Sequence, residues 1–137
     1  MKHLRILALV LILCAAVLGG CRTAPIQNIE LAPIVSNQQQ ARTMDDVKNA
    51  IINAAYSLGW QVSDVAPGHL VATLNIRSHQ AVVDITYTTE NYSINYKDST
   101  NLKHKGDTIH SNYNAWVKNL AGAINSRLSM PQASAKP

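Results

Sequence analysis

The chain has 137 residues and a weak positive charge, with 12 Lys and Arg against 8 Asp and Glu and a formal balance of +4. Its basic residues are scattered, with no run longer than Lys103-His104-Lys105, which argues against a nucleic-acid-binding surface. A chain of this length holds one small domain and leaves no room for a second.

The first twenty residues have the layout of a secretory signal, with a basic start, an apolar stretch and small residues at the end. Lys2 and Arg5 supply the charge, and residues 6–18 carry neither a charge nor a proline. This apolar stretch is shorter than the roughly 20 residues that cross a bilayer as a helix. The pattern therefore predicts that residues 1–20 are a cleaved signal peptide, which leaves the mature chain close to neutral.

The end of this signal, Leu18-Gly19-Gly20-Cys21, resembles the bacterial lipobox, whose cysteine is diacylated and becomes the new N-terminus. The resemblance implies a lipidated Cys21, with acyl chains such as palmitate, as the membrane anchor. Arg22 in place of an aspartate implies, by similarity to Gram-negative lipoproteins, an outer-membrane location with the domain facing the periplasm. The alternative is an ordinary secretory signal cleaved near Gly20, which leaves Cys21 as a lone thiol.

The stretch that follows the cysteine is predicted to be a tether. Residues 21–42 contain Pro25, Pro33 and three successive glutamines, without a helical or alternating period. Apolar residues between positions 26 and 35 are more numerous than a free linker needs. The alternative is therefore that part of this stretch adds an edge strand to the domain.

Residues 43–130 are predicted to form the folded domain, with a helix at each end. Thr43, followed by Asp46 three residues later, is a variant of the capping box at a helix start, and Gly59 provides the stop. Apolar residues at three- and four-residue spacing place a second helix after Ser111 or Asn112. The tail, residues 131–137, is rich in small and polar residues and is predicted to be disordered.

Four segments between the helices alternate apolar and polar residues, as half-buried strands do. They lie at 60–64, 70–77, 81–88 and 92–97. The connections between them are too short for parallel crossovers, so the sheet is predicted to be an antiparallel meander. The fold class is then α+β in the order α-β-β-β-β-α, with both helices on one face of a four-stranded sheet.

The sequence contains none of the common catalytic patterns. It has no Gly-x-Ser-x-Gly elbow, no Gly-rich phosphate loop and no His-Glu-x-x-His pair. The acidic residues are spread along the predicted elements, so no acid and base pair can be named from spacing. We therefore expect a protein that is not an enzyme and that holds no cofactor.

The predicted loop from Asp98 to His110, with the residues beside it, is the densest collection of polar and aromatic groups. It supplies the candidate surface for a ligand or a partner, which consists of Tyr96, Asp98, Asn101, His104, His110, Tyr113 and Asn114. His104, His110 and Asp107 are suitable types of metal ligand, although their spacing matches no closed structural site. The favoured alternative is that these polar groups bond the backbone of their own loop.

The aromatic residues Tyr92, Tyr96, Tyr113 and Trp116 also allow two interpretations. They are suited to line a ligand groove. The chain has no phenylalanine, however, so these rings are also needed to fill the core, which is the favoured use.

This region also resembles a protein family. The segment from Tyr96 to Leu102, Ile109-His110 and the segment from Tyr113 to Val117 are similar to the signature of small proteobacterial lipoproteins of uncharacterised function. The resemblance implies an envelope location and brings no catalytic residue. Two hypotheses follow, a non-enzymatic envelope module that binds a protein or a glycan, and a small-ligand or metal binder that uses the Asp98–His110 loop.

Overall fold

The structure, a computed structural model, describes residues 22–35 and 41–131. The predicted signal peptide, Cys21, residues 36–40 of the predicted tether and residues 132–137 of the predicted tail lie outside the described residues. The elements are β1 (Thr23–Pro25), β2 (Ile29–Pro33), α1 (Met44–Ser57), β3 (Trp60–Ala66), β4 (His69–Ile76), β5 (His79–Tyr87), β6 (Asn91–Thr100), β7 (Thr108–His110) and α2 (Ser111–Ser129). The predicted α+β class is confirmed.

The first helix begins and ends where its sequence predicts. Thr43 Oγ1 accepts a hydrogen bond of 3.1 Å from the N–H of Asp46, and Asp46 Oδ2 accepts one of 2.8 Å from the N–H of Thr43. This capping box satisfies N–H groups that a helix start leaves unpaired. Gly59 has φ +84°, a left-handed conformation that glycine adopts without strain just past a helix end.

The main sheet has five antiparallel strands in the order β2-β6-β5-β4-β3. Strands β3 to β6 form the predicted meander, and β2 extends it beside β6, so the prediction of four strands is one strand short. Alternate residues of the strands pack with both helices in one core, while the other face of the sheet is polar and open. Fully buried members of this core include Val47, Ile51, Leu70, Ala72, Val83, Ile85, Ile94, Leu120 and Ile124.

Strand β2 comes from the segment that was predicted to be a tether. Ile29 pairs with Ile94 of β6, and the strand then bulges. Leu31, at φ +47° in this bulge, donates its N–H to Ser93 Oγ at 2.9 Å. Ile34 follows and is buried in the core. The tether prediction is therefore wrong for residues 23–34, where the bulge removes the alternation, and the alternative of an edge strand is confirmed.

Strand β1 pairs with β7 in a separate two-stranded sheet at the start of α2. The long loop predicted between Asp98 and His110 is shorter than expected, because β6 continues to Thr100 and β7 begins at Thr108. The N-cap of α2 is His110 and not Ser111 or Asn112, since His110 Nδ1 accepts the N–H of Asn112 at 3.2 Å. An imidazole nitrogen here replaces the hydroxyl or amide oxygen of a usual cap.

The two helices are also joined through Arg42, which precedes α1. Its guanidinium donates to the carbonyl oxygens of Leu128 and Met130 at the end of α2. A helix end leaves these carbonyl groups without partners and carries a partial negative charge, so a cation stabilises it. Neither helix among the described residues is long and apolar enough to cross a bilayer.

Candidate functional site

The surface expected from the sequence is organised around Tyr96 of β6. The ring of His104 stacks on the ring of Tyr96, with 4.7 Å between centroids and 27° between planes. Tyr113 meets Tyr96 edge to face, at 5.6 Å and 72°. The hydroxyl of Tyr96 also forms a 2.9 Å hydrogen bond with Ser99 Oγ. Three of the predicted residues are therefore in one aromatic cluster.

Tyr113 lies beneath this cluster and belongs to the core. It is fully buried, and its hydroxyl has no hydrogen-bond partner among the described residues. Burial, with a smaller contribution from Tyr96, raises the pKa of Tyr113 above its usual range. A neutral, enclosed hydroxyl of this kind does not present itself to a ligand.

Asp98 bonds to the backbone of its own segment, whereas Asn101 bonds to the turn between β4 and β5. Asp98 Oδ1 accepts the N–H of Ser99 at 2.8 Å. Asn101 donates from Nδ2 to Ser78 Oγ at 2.9 Å, and its carbonyl oxygen accepts from His79 Nδ1 at 2.7 Å. These bonds fasten the turn between β4 and β5 to the end of β6.

Asn114, on the first turns of α2, holds the N-terminal segment. Its Nδ2 donates to the carbonyl oxygen of Pro25 at 2.8 Å, and its Oδ1 accepts the N–H of Gln27 at 3.0 Å. One side chain therefore pairs with two backbone groups of a segment that lies far away in sequence. A helix residue with this role cannot be recognised from helical periodicity.

Residues 22–28, which we call the strap, lie along the predicted surface. The carbonyl oxygen of Arg22 accepts the N–H of Ser111 at 2.8 Å. The N–H of Ile26 donates to the carbonyl oxygen of Asp107 at 2.7 Å, and Asn28 Oδ1 accepts the N–H of Tyr96 at 3.0 Å. Of the predicted residues, Tyr96, His110 and Asn114 thus contact the strap. The first described residue after Cys21 lies beside the start of α2.

The described residues around the Asp98–His110 loop do not have the geometry of a metal site. Within residues 22–35 and 41–131, no three His, Cys, Asp or Glu side chains converge on a point that would hold an ion. His104 is stacked on Tyr96, and His110 uses Nδ1 as the helix cap.

A cluster on the open face of the sheet was not expected from the sequence. Asp84 of β5 accepts from His69 Nε2 at 2.6 Å and from Lys97 Nζ at 3.1 Å. The three residues occupy polar positions on adjacent strands, which the alternation predicts for each strand separately. The three side chains come together only because of the strand register and the β6 bulge opposite Val82 and Val83. The alternation of apolar and polar residues predicts neither of them.

The charge of Asp84 is favoured by its neighbours. Partial burial raises the pKa of this carboxyl, but the hydrogen bonds from His69 and Lys97 and the charge of Lys97 outweigh burial and hold the pKa below its usual 3.8. Asp84 is therefore an ion-paired carboxylate at neutral pH.

No family model matches the chain. No curated protein and no solved structure matches it either.

Among the described residues, two of the open grooves away from the predicted surface lie between a helix and a neighbouring strand or turn. One, of about 320 Å³, lies between the start of α1 and the turn from β3 to β4, where Lys48 bridges Asp45 and Asp64 at 3.4 Å. The other, of about 280 Å³, lies between β2 and the last turns of α2 and includes Val35 and Leu128.

Proposed function

We propose that the chain is a lipid-anchored module of the bacterial cell envelope, held at the outer membrane by an acylated Cys21 and acting by binding and not by catalysis. The main support for this proposal is that the lipobox-like cysteine and the folded strap are adjacent in the chain. A signal-like segment ends in a lipobox-like cysteine, and the next residue, Arg22, already bonds to Ser111 of the domain. An exported segment and a folded strap would then follow each other without a spacer.

The proposed binding surface is the open face of the sheet, because several residues of the surface predicted from the sequence have structural roles. Tyr113 fills the core, His110 caps a helix and Asn114 fastens the strap. The open face of the sheet, with Asp84 and its partners, remains available to a partner, which we take to be another envelope protein. The metal-binding alternative has no geometric support within residues 22–35 and 41–131.

The anchor is tested by growing cells that express the full chain with labelled palmitate. We expect label in the wild type and in Cys14→Ser, the matched control, because Cys14 leaves with the signal peptide. Cys21→Ser should lose the label and move from the membrane fraction to the soluble periplasmic fraction. A wild-type chain that carries no label contradicts the proposal.

The binding role is tested with a photo-crosslinking residue at Thr86, an exposed position on the face of β5 that carries Asp84. Asn119, which is exposed on α2, is the matched control. We expect one discrete protein adduct in intact cells from Thr86 and none from Asn119. Adducts that are absent from both positions, or equal at both, contradict a partner on this face.

A further inference from the structure

We infer that the domain lies directly on the lipid surface, with the loop of residues 101–107 and the first turn of α2 facing the headgroups. This inference rests on the proposed acylation of Cys21. It departs from the prediction that residues 21–42 form a tether.

The first support is the position at which the described chain begins. Arg22 directly follows the proposed anchor residue in the sequence. Arg22 is itself bonded to Ser111, and Thr23 pairs with His110. Lipid chains attached at residue 21 therefore keep the start of α2 close to the bilayer, because the next residue is bonded to it.

The second support is the number of contacts that keep the strap in place. Three residue pairs join β1 to β7, from Thr23 with His110 to Pro25 with Thr108. Asn114 pairs with the backbone of Pro25 and of Gln27, and Ile26 donates to Asp107. Turning the strap into a spacer requires all of these bonds to break together, so the anchored end stays close to the domain.

The third support is the charge of the surface around the anchor. Arg22, Lys103 and Lys105 are exposed there, against Asp107 as the one acidic residue of the 101–107 loop. Among the described residues, the lysines of this loop take part in no ion pair. Basic side chains beside a membrane anchor are attracted to anionic headgroups within about one Debye length. An anionic lipid surface is thus the occupant that this end of the molecule fits.

Two single-cysteine variants on α2 test the orientation. Asn112→Cys lies in the first turn and Ser126→Cys near the end, about 21 Å further along the axis at 1.5 Å per residue. Both positions are exposed, and an acylated Cys21 has no free thiol to compete for a maleimide fluorophore. The acylated full chain is reconstituted in vesicles of phosphatidylethanolamine and phosphatidylglycerol that contain a headgroup-attached spin-label quencher.

We expect fluorescence quenching at least threefold stronger at position 112 than at position 126. Equal quenching at the two positions, in a chain that is acylated and bound to vesicles, overturns the inference but leaves the proposed anchor standing. A chain that is not acylated is recognised separately by the palmitate experiment, and that result overturns the proposed function together with this inference.

A charge-reversed variant tests the recognition of headgroups. Lys103→Glu with Lys105→Glu, in the Asn112→Cys background, should reduce quenching at position 112 at least twofold. Lys118→Glu, an exposed lysine further along α2, is the matched control and should leave the quenching unchanged. Unchanged quenching in the doubly reversed variant overturns the part of the inference that assigns the anionic surface to this loop.

Discussion

Two fully buried tyrosines, Tyr92 and Tyr113, differ in whether the hydroxyl has a partner. Tyr92 donates to Asn125 Oδ1 at 2.7 Å, whereas the hydroxyl of Tyr113 has no partner among the described residues. A buried hydroxyl without a hydrogen bond loses its hydration and receives nothing in return, so its removal is neutral or favourable.

We therefore predict opposite effects for the same substitution at the two positions. Tyr113→Phe should leave the free energy of unfolding unchanged or raise it by up to about 1 kcal/mol, and Tyr92→Phe should lower it by about 1 kcal/mol. Urea denaturation followed by circular dichroism measures both. Equal losses of unfolding free energy in the two variants would contradict the prediction, because they would show that the hydroxyl of Tyr113 also has a hydrogen-bond partner.

Asp84 gives a prediction about pH. Because its pKa in the folded chain lies below 3.8, its pairing adds stability above that pH and loses it as the pH falls through the folded-state value. Asp84→Asn should lower the free energy of unfolding by about 1 kcal/mol at pH 6, since the pair is partly exposed. The difference from wild type should shrink as the pH falls below 3.8.

The control for Asp84 is a double-mutant cycle with Lys97→Met. If the two residues are coupled, the double variant is more stable than the sum of the single losses predicts at pH 6. Additive losses at pH 6, or a difference from wild type that does not change below pH 3.8, contradict the assigned ion pair.

At the scale of elements, Asn114 is the side chain that holds the strap at two of its backbone groups. Asn114→Ala removes both bonds to the backbone of Pro25 and Gln27 and leaves the core untouched. Amide exchange at residues 23–27 should accelerate at least tenfold, while the main sheet keeps its protection. Asn119→Ala, an exposed asparagine on the same helix, serves as control, and similar exchange in both variants would mean that Asn114 does not hold the strap.

The elements that the sequence predicts correctly are those whose causes are local. The capping box of Thr43 and Asp46, the stop at Gly59 and the alternation of β4 and β5 depend on residues a few positions apart. The strap and β2 depend on partners more than sixty positions away, such as Ser93 for Leu31. Two prolines and a bulge also remove the period by which a strand is recognised, so a linker was the natural interpretation.

The candidate site shows the same division. Sequence reasoning placed Tyr96, His104, His110 and Asn114 in one candidate surface because they lie in one continuous stretch. That this surface binds a ligand or a partner stays a prediction. Sequence reasoning did not predict that the strap lies against Tyr96 and Asn114. The Asp84 cluster was missed because it requires the register of three strands.

At the scale of the whole molecule, the domain begins in the strap and not at Thr43. Strand β2 covers the edge of β6, and Ile34 at its end is only 7% exposed. Without this strand, the buried residues of β6 and an unpaired sheet edge would face solvent. An uncovered edge of this kind pairs readily with other chains.

A chain that begins at Ala41 should therefore be far less stable than one that begins at Arg22. We expect it to lose at least about 3 kcal/mol of unfolding free energy, or to associate, because several apolar side chains lose their burial. Urea denaturation and size-exclusion chromatography measure the two outcomes. Ile34→Ala in the chain from Arg22 is the matched control, since it keeps the strand but removes one buried side chain, and its loss should be smaller. Equal stability of the two chains would show that residues 22–34 add nothing to the free energy of unfolding, which contradicts the place of β2 and Ile34 in the fold.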